Sequence, residues 1–427
     1  MSNEVREIFF KENRVFNALN SSHRDFIQSV ADTYHLTFQN IKRLTDIASD
    51  LEMWQEGRLQ DIWEVPRDTK ITGRDLSRRV MNSVIDKWEY LKDESKDYSG
   101  FTPKLPEIPQ PKYILEEDEN TLLGRCPVAS EKTRCCNLQT LDAVKNCGFA
   151  CSYCSIQSFY TEGKIVFQKD FAKKLKNLEI DRSRIYHIGT GQSSDSLMWG
   201  NKYGLLDALF EFAERYPNVI LELKTKSDTI SYLKNHKIPG NILVTWSLNT
   251  DTVIKAEEHL TASLERRLAA ARAVADSGAL VGFHFHPMVF YKKWEEEYRE
   301  IFSAIQRDFT PEETVLISIG TLTFIKPVIR ELRKQKIRSK ILQMPLEDAS
   351  GKFSYPLDIK RNMFKTLYDS FSSEWKEKVF FYMCMEEKSL WHDVFGYEYN
   401  TNEEFESAMK TSYMNKINAR REKRDIL

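Results

Sequence analysis

Between Arg184 and Gln335 the sequence alternates short apolar runs with amphipathic stretches, and that alternation limits the possible folds more than any other feature. The runs Arg184–Gly189, Val219–Lys224, Ile242–Leu248, Leu280–His284 and Val315–Ile319 have the length and composition of strands. Between them, Tyr203–Tyr216, Asp228–Asn235, Ala262–Ser277, Trp294–Phe309 and Lys326–Gln335 repeat apolar residues at helical spacing. Strand, helix, strand at this interval predicts βα units, a parallel sheet and right-handed crossovers. Five such units and one earlier strand give about six, too few for a closed eight-stranded barrel. The fold expected is α/β, a partial (β/α)6-type barrel with its chemistry at the strand ends.

Both flanks read differently. Residues 1–100 form a predicted helical domain, with helices starting near Ser22, covering Phe38 to Gln55 and covering Gly73 to Leu91. Those helices are acidic as often as basic, which suits a packing or partner-binding module. Residues 101–125 contain Thr-Pro-Lys-Leu-Pro-Glu-Ile-Pro-Gln-Pro, a connector that cannot continue a helix. The barrel is placed at 126–345 and a C-terminal extension, expected to cover its mouth, at 346–427. The closing basic stretch, Arg420 to Arg424, reads as a solvated face.

Charge and hydropathy exclude some classes. Lys+Arg (62) and Asp+Glu (63) nearly cancel, so any nucleic-acid contact must come from a local patch. No apolar run approaches the roughly 20 residues that span a bilayer, and MSNEVREIFF lacks a signal-peptide core. The expectation is a cytoplasmic protein with no membrane partner. Seven cysteines in such a chain are metal ligands, redox groups or small buried residues rather than a disulfide framework.

Three of them, Cys147, Cys151 and Cys154, stand at C-x3-C-x2-C spacing. One loop can then wrap three corners of a four-iron cluster, leaving one iron open to a small molecule. Gly148 is expected to let the loop turn tightly. A zinc site is the competing reading, with Cys126, Cys135 or Cys136 supplying further ligands. Those three are otherwise an auxiliary cluster site or ordinary thiols packed beneath the loop.

Four stretches after strands are rich in polar side chains. Gly189 to Ser196 offers hydroxyl and backbone donors for a carboxylate or ribose. Glu222, Lys224 and Lys226 share one face by the two-residue period, as do Ser247 and Asn249. His284 and His286 repeat that spacing, and with no acidic partner assignable they read as structural or lining residues.

The cysteine loop resembles the signature of the radical SAM enzymes, and the strand ends resemble the spore photoproduct lyase branch of that family. The likeness runs from about Cys147 to Lys326, through the cluster loop, the Ser-Asp turn, Thr225-Lys226, Ser247-x-Asn249, Arg266-Arg267, the Gly282-Phe283 to Pro287 turn and Lys326-Pro327. It implies a [4Fe-4S] cluster on Cys147, Cys151 and Cys154 that reductively cleaves S-adenosylmethionine to a 5′-deoxyadenosyl radical. It further implies that Ser193, Lys226 and Ser247, with Gln192 and Asn249 beside them, receive the cofactor, and that Tyr153 lies next to the cluster. A flavodoxin or ferredoxin would donate the electron, and damaged DNA would be the substrate.

Three positions depart from that pattern. Gln192 stands where the lyase has its hydrogen-returning cysteine, Ser155 where it has a tyrosine and Thr323 where it presents an arginine. Cys384, at the end of the apolar run Val379 to Cys384, is the candidate replacement thiol, or else a small buried residue. These departures leave open a radical SAM enzyme acting on a peptide or small metabolite. A non-catalytic zinc- or cluster-bearing nucleic-acid-binding protein is the alternative from another class.

Overall fold

The computed structural model describes residues 3–67, 70–93, 95–104, 112–117, 122–126, 133–157, 160, 163–335, 337–349 and 351–426. Most of the proline-rich connector, 105–111, and the segments 118–121 and 127–132 lie outside the described residues.

One sheet organises the chain. Its strands, in chain order, are β1 (Leu123–Arg125), β2 (Gln139–Leu141), β3 (Tyr186–Thr190), β4 (Val219–Thr225), β5 (Ile242–Ser247), β6 (Leu280–Met288), β7 (Thr314–Thr321) and β8 (Phe380–Met383). They lie side by side in that same order. All neighbours from β2 to β8 are parallel, and only β1 runs antiparallel, against β2. Helices such as Leu205–Arg215 and Leu264–Asp276 make the crossovers and cover the sheet's outer face. Covered on both faces, β5 and β7 are buried along their whole length, which is why they read as continuous apolar runs rather than alternating ones. The six expected strands, β2 to β7, are thus extended by one at each edge. The added parallel strand, β8, is the apolar run before Cys384.

The C-terminal segment, expected over the barrel mouth, reaches both ends: Cys384 and Met385 line the cavity at the strand ends, and the last helix packs at the beginnings of the strands. In the helix Asn402–Ile426, Phe405, Met409, Tyr413 and Ile417 recur every four residues and are all buried. Tyr413 meets the ring of His187 near the start of β3. Lys416 donates to the carbonyls of Pro311 and Thr314, and Arg421 to that of Pro217, all at the beginnings of strands.

The N-terminal helices include Ser21–Thr33, Phe38–Trp54 and Gly73–Asp93. The first starts one residue before the expected Ser22 because Asn20 caps it, its side chain accepting from His23 N at 2.9 Å. Trp54 and Trp88 stack at 6.2 Å inside this layer. Asp50, wholly buried, receives Trp88 Nε1 at 3.2 Å and a two-pronged contact from Arg333 at 2.8 and 2.7 Å. Arg333 belongs to the helix Lys326–Lys334 after β7, so a buried ion pair joins the helical layer to the barrel.

Candidate functional site

At the C-terminal ends of the strands the chain leaves a cavity that Cys147, Cys151 and Cys154 line together. Their loop is held from two sides. Ala150–Cys151 pairs antiparallel with Glu258–His259, and Ser152 N donates to Glu257 O at 2.9 Å. Gln157 Nε2 then closes the turn by donating to Cys154 O at 2.9 Å. The left-handed residue of the loop is Asn146 (φ 68°), not Gly148. Gly148 matters for space: a Cβ there would stand 2.4 Å from Met198 Cε and 3.0 Å from the Trp199 ring.

Two adjacent carboxylates carry this loop, and the sequence reading missed both. Glu257 is fully buried and accepts from Tyr98 Oη at 2.8 Å, Lys340 N at 2.9 Å, Ser339 Oγ at 2.5 Å and the Ser152 hydroxyl. Burial pushes its carboxyl above the ordinary value. Glu258 accepts from the Tyr153 hydroxyl and from Arg267. Burial opposes its ionisation, but Arg267 and Lys226 outweigh that and hold it below the ordinary value. Arg267, with no exposed surface, also donates to Ser247 O at 2.8 Å and Ala262 O at 2.9 Å. One buried guanidinium therefore fixes both the aromatic beside the thiols and the end of β5. The signal available in sequence was the pair Glu257-Glu258 set among apolar residues, Val253, Ile254 and Ala256 before it and Leu260 after it.

The turn after β3 is shaped by Asp195, which accepts from Leu197 N, Met198 N, Thr225 Oγ1 and Lys226 N between 2.7 and 3.0 Å. It binds the ends of β3 and β4 into one unit and sets Lys226 at the cavity wall. The ammonium of Lys226 stands 5.6 Å from the centre of the Tyr153 ring. Gln192, Ser247 and Tyr153 line the same cavity. Ser193 does not: its hydroxyl donates to Asp142 Oδ1 at 2.7 Å and Val144 O at 2.9 Å, and Ser194 takes its place in the wall. Asn249 is also turned away, bonded to Pro287 O at 3.0 Å and Tyr298 Oη at 2.6 Å.

The opposite wall holds Cys384, Thr323 and His286, with Ser155 also lining the cavity. Burial pushes the Cys384 thiol up to about 12, so it keeps its hydrogen. Of the two histidines with no assignable acid in the sequence, His284 has one: Glu222 Oε1 lies 2.7 Å from its Nε2, and Oε2 lies 2.9 Å from Nε2 of a third, His187, whereas His286 Nε2 meets the Ser318 hydroxyl at 3.1 Å. Tyr160, unremarked in the sequence, places its hydroxyl 3.6 Å from Cys154 Sγ.

The donor set fits the groups expected of it. Three thiols from one loop line one cavity; burial pushes Cys151 up to about 12 and Cys147 well above its ordinary value, so each needs a metal to become a thiolate. No described helix is long and apolar enough to cross a membrane.

Residues 144–377 match the family model described as spore photoproduct lyase. The spore photoproduct lyase of Clostridium acetobutylicum is 24% identical over 291 residues, 66% of this chain and 83% of that protein. That of Bacillus subtilis is 29% identical over 123 residues, 28% of this chain and 36% of that protein. A solved spore photoproduct lyase variant with bound AdoMet and dinucleoside spore photoproduct superposes with a TM-score of 0.51 at 19% identity, over 64% of this chain and 80% of that one. A second variant gives 0.52 at 20% identity over the same shares, 64% and 80%. At these identities the likeness shows a shared fold.

Proposed function

The chain belongs to the spore photoproduct lyase family of radical SAM enzymes, and on that premise we propose that it acts by radical chemistry on damaged DNA. The observation that carries this reading is the convergence of Cys147, Cys151 and Cys154 with Lys226, Ser247 and Gln192 on one cavity. Cys147, Cys151 and Cys154 would hold a [4Fe-4S] cluster with S-adenosylmethionine beside it. When bound, that pair supplies a carbon-centred radical able to remove a hydrogen atom from substrate.

The chain's own residues then have distinct tasks. Lys226 offers a cation to the cofactor's carboxylate, and Gln192 and Ser247 offer hydrogen-bonding groups beside it. Tyr153, held by Glu258, closes the wall next to the thiols. Cys384, protonated and facing the cavity, returns a hydrogen atom to the product radical in place of the thiol that Gln192 replaces. The electron enters from a small reductant of the flavodoxin or ferredoxin class. Gln192, Ser155 and Thr323 all line the cavity, so the substrate side departs from the family pattern where it meets substrate. That observation favours a second reading, a peptide or small metabolite as the molecule attacked.

Anaerobic purification followed by incubation with ultraviolet-irradiated and undamaged DNA tests both. The expected result is a brown protein that cleaves S-adenosylmethionine and consumes lesions, with Cys384→Ala making 5′-deoxyadenosine but little repaired product. A colourless, zinc-loaded protein would overturn the cluster reading. A brown protein inert toward both DNAs would transfer the substrate to the second reading.

A further inference from the structure

The cavity wall holds one arrangement that hydrogen-atom transfer leaves unused, a line of hydrogen bonds from His286 into the closed interior of the sheet. His284 and His286 lie two residues apart on β6, their rings 5.4 Å apart, and Ser318 of β7 sits opposite His284 in register. The Ser318 hydroxyl meets His284 Nδ1 on one side and lies 3.1 Å from His286 Nε2 on the other. His284 Nε2 continues the line to Glu222, 2.7 Å away, which also accepts from Thr245 Oγ1 at 2.7 Å and His187 Nε2 at 2.9 Å. His284 and Ser318 have essentially no exposed surface, and Glu222 has 3%.

Donor and acceptor counting gives the line a direction. Burial opposes ionisation of Glu222, but His284 and His187 hold it well below the ordinary carboxylate value, so it only accepts. His284 must then carry its hydrogen on Nε2. Burial, and after it Lys224, pushes His284 down to about 4, so the ring is neutral and Nδ1 accepts. The single proton of Ser318 goes to that nitrogen, and the serine's lone pairs face His286. His286, whose ring also hydrogen-bonds the Ile319 backbone, therefore meets Ser318 through its Nε2–H. The Cδ2–Nε2 edge of that ring also faces β7: a Cβ on Gly320 would stand 3.3 Å from Cδ2 and 3.6 Å from Nε2. Nδ1, with its lone pair, is on the other edge of a ring that lines the cavity.

We propose that His286 is a proton acceptor for an N–H or O–H group of the substrate, and that Ser318 and His284 carry the proton inward to Glu222. The substrate bond to hydrogen breaks, leaves its electron pair on the substrate, and the proton joins His286 Nδ1. His286 passes its Nε2 proton to Ser318, Ser318 passes its own to His284 Nδ1, and the positive charge comes to rest beside the Glu222 carboxylate. No electron moves. Lys224 opposes a cation on both rings, but only His284 has the Glu222 carboxylate beside it to favour one, and Lys226 adds to the opposition at His286, so the inward route is the favoured one. This rests on the reading of the cavity as a radical chamber, and it deepens it. Removing a hydrogen atom from carbon makes a neighbouring N–H or O–H far more acidic, so the substrate class is one with such a group next to the attacked carbon, as in a pyrimidine ring or a sugar.

Two measurements decide it. In the full-length chain labelled with 15N-histidine, long-range proton–nitrogen correlation should show His284 and His286 as neutral Nε2–H tautomers from pH 6 to pH 8. Ser318→Ala should shift His286 while leaving His236 unchanged. A His286 protonated on Nδ1, or unmoved by Ser318→Ala, overturns the proposal. With the reconstituted holoenzyme and ultraviolet-irradiated DNA, Ser318→Ala should lower kcat about 100-fold or more with KM nearly unchanged, and Ser318→Thr should restore it. Wild-type turnover equalled by Ser318→Ala also overturns the relay. If the wild type does not act on this DNA, the substrate reading falls and the tautomers still decide the relay.

Discussion

Glu257→Ala and Glu257→Gln, compared side by side, test whether the cluster loop is held by hydrogen bonds to one buried carboxylate. Four donors reach that group: Tyr98 Oη, Lys340 N, Ser339 Oγ and the Ser152 hydroxyl. In the alanine variant both serines can turn their hydroxyls elsewhere, but Lys340 N is fixed by the backbone and the Tyr98 hydroxyl is enclosed. Two orphaned donors at about 1–3 kcal/mol each give a loss of about 2–6 kcal/mol, a large part of a net stability of about 5–15 kcal/mol. Glutamine can keep its carbonyl toward Lys340 and Tyr98 and offer its amide to the serines, so its loss should stay within about 2 kcal/mol. At about 2–4 °C per kcal/mol, thermal unfolding of the full chain should fall by about 5–20 °C for alanine and by clearly less for glutamine. Ser152 lies between two of the three loop cysteines, so the alanine variant should also retain less iron after anaerobic reconstitution. An alanine midpoint within about 2 °C of the parent would refute the reasoning. A glutamine variant as damaged as alanine would show that charge, not donor satisfaction, is what the site requires.

Stability should fall as pH drops from about 6.5 toward 4. The folded state keeps His284 neutral down to about 4, so the unfolded chain, with an ordinary histidine, binds the proton first, and about 3 kcal/mol present above 6.5 is lost across that window. Glu222, held well below the carboxylate range, adds loss only at lower pH; a urea midpoint flat from pH 6.5 to 4.5 would contradict this. Gly191→Ala should destabilise by about 2–5 kcal/mol, because Gly191 has φ 83° and its Cβ would stand 3.0 Å from the Lys224 carbonyl. Gly396→Ala, also left-handed (φ 77°) but with open space around it, should cost only the conformational part, about 1–2 kcal/mol; equal thermal shifts for the two would remove the packing argument. Arg267→Leu should lower stability by about 3–5 kcal/mol, since Glu258 would be left buried and unpaired, and urea unfolding reads this directly.

What the sequence made legible follows from which geometry is periodic. Lys226 and Ser247 were placed near a common site because strand ends project side chains by a two-residue rule, Gln192 was placed by the family resemblance, and all three line the cavity. Ser193 and Asn249 lie in turns, where the rule stops; Asp142 took the first and Tyr298 and Pro287 the second. Glu257 and Glu258 were invisible because, Arg267 apart, their side-chain partners Tyr98, Ser152, Tyr153 and Ser339 come from segments far away in the chain. The histidines and Glu222 were each noticed, but parallel strand register is non-local, so their meeting was not. The same reason hid the pairing of β8 with β7.

That last pairing has a consequence for how the molecule is made. During synthesis β7 leaves the ribosome well before β8, and every residue of β7 is of the kind that ends buried. Until β8 arrives, one edge of β7 is a bare row of backbone donors and acceptors, open to any passing strand. The nascent chain therefore carries an exposed template for aggregation through the synthesis of the helix Leu357–Asp369 and beyond. Chains released early should be found in inclusion bodies or held by chaperones rather than as soluble fragments.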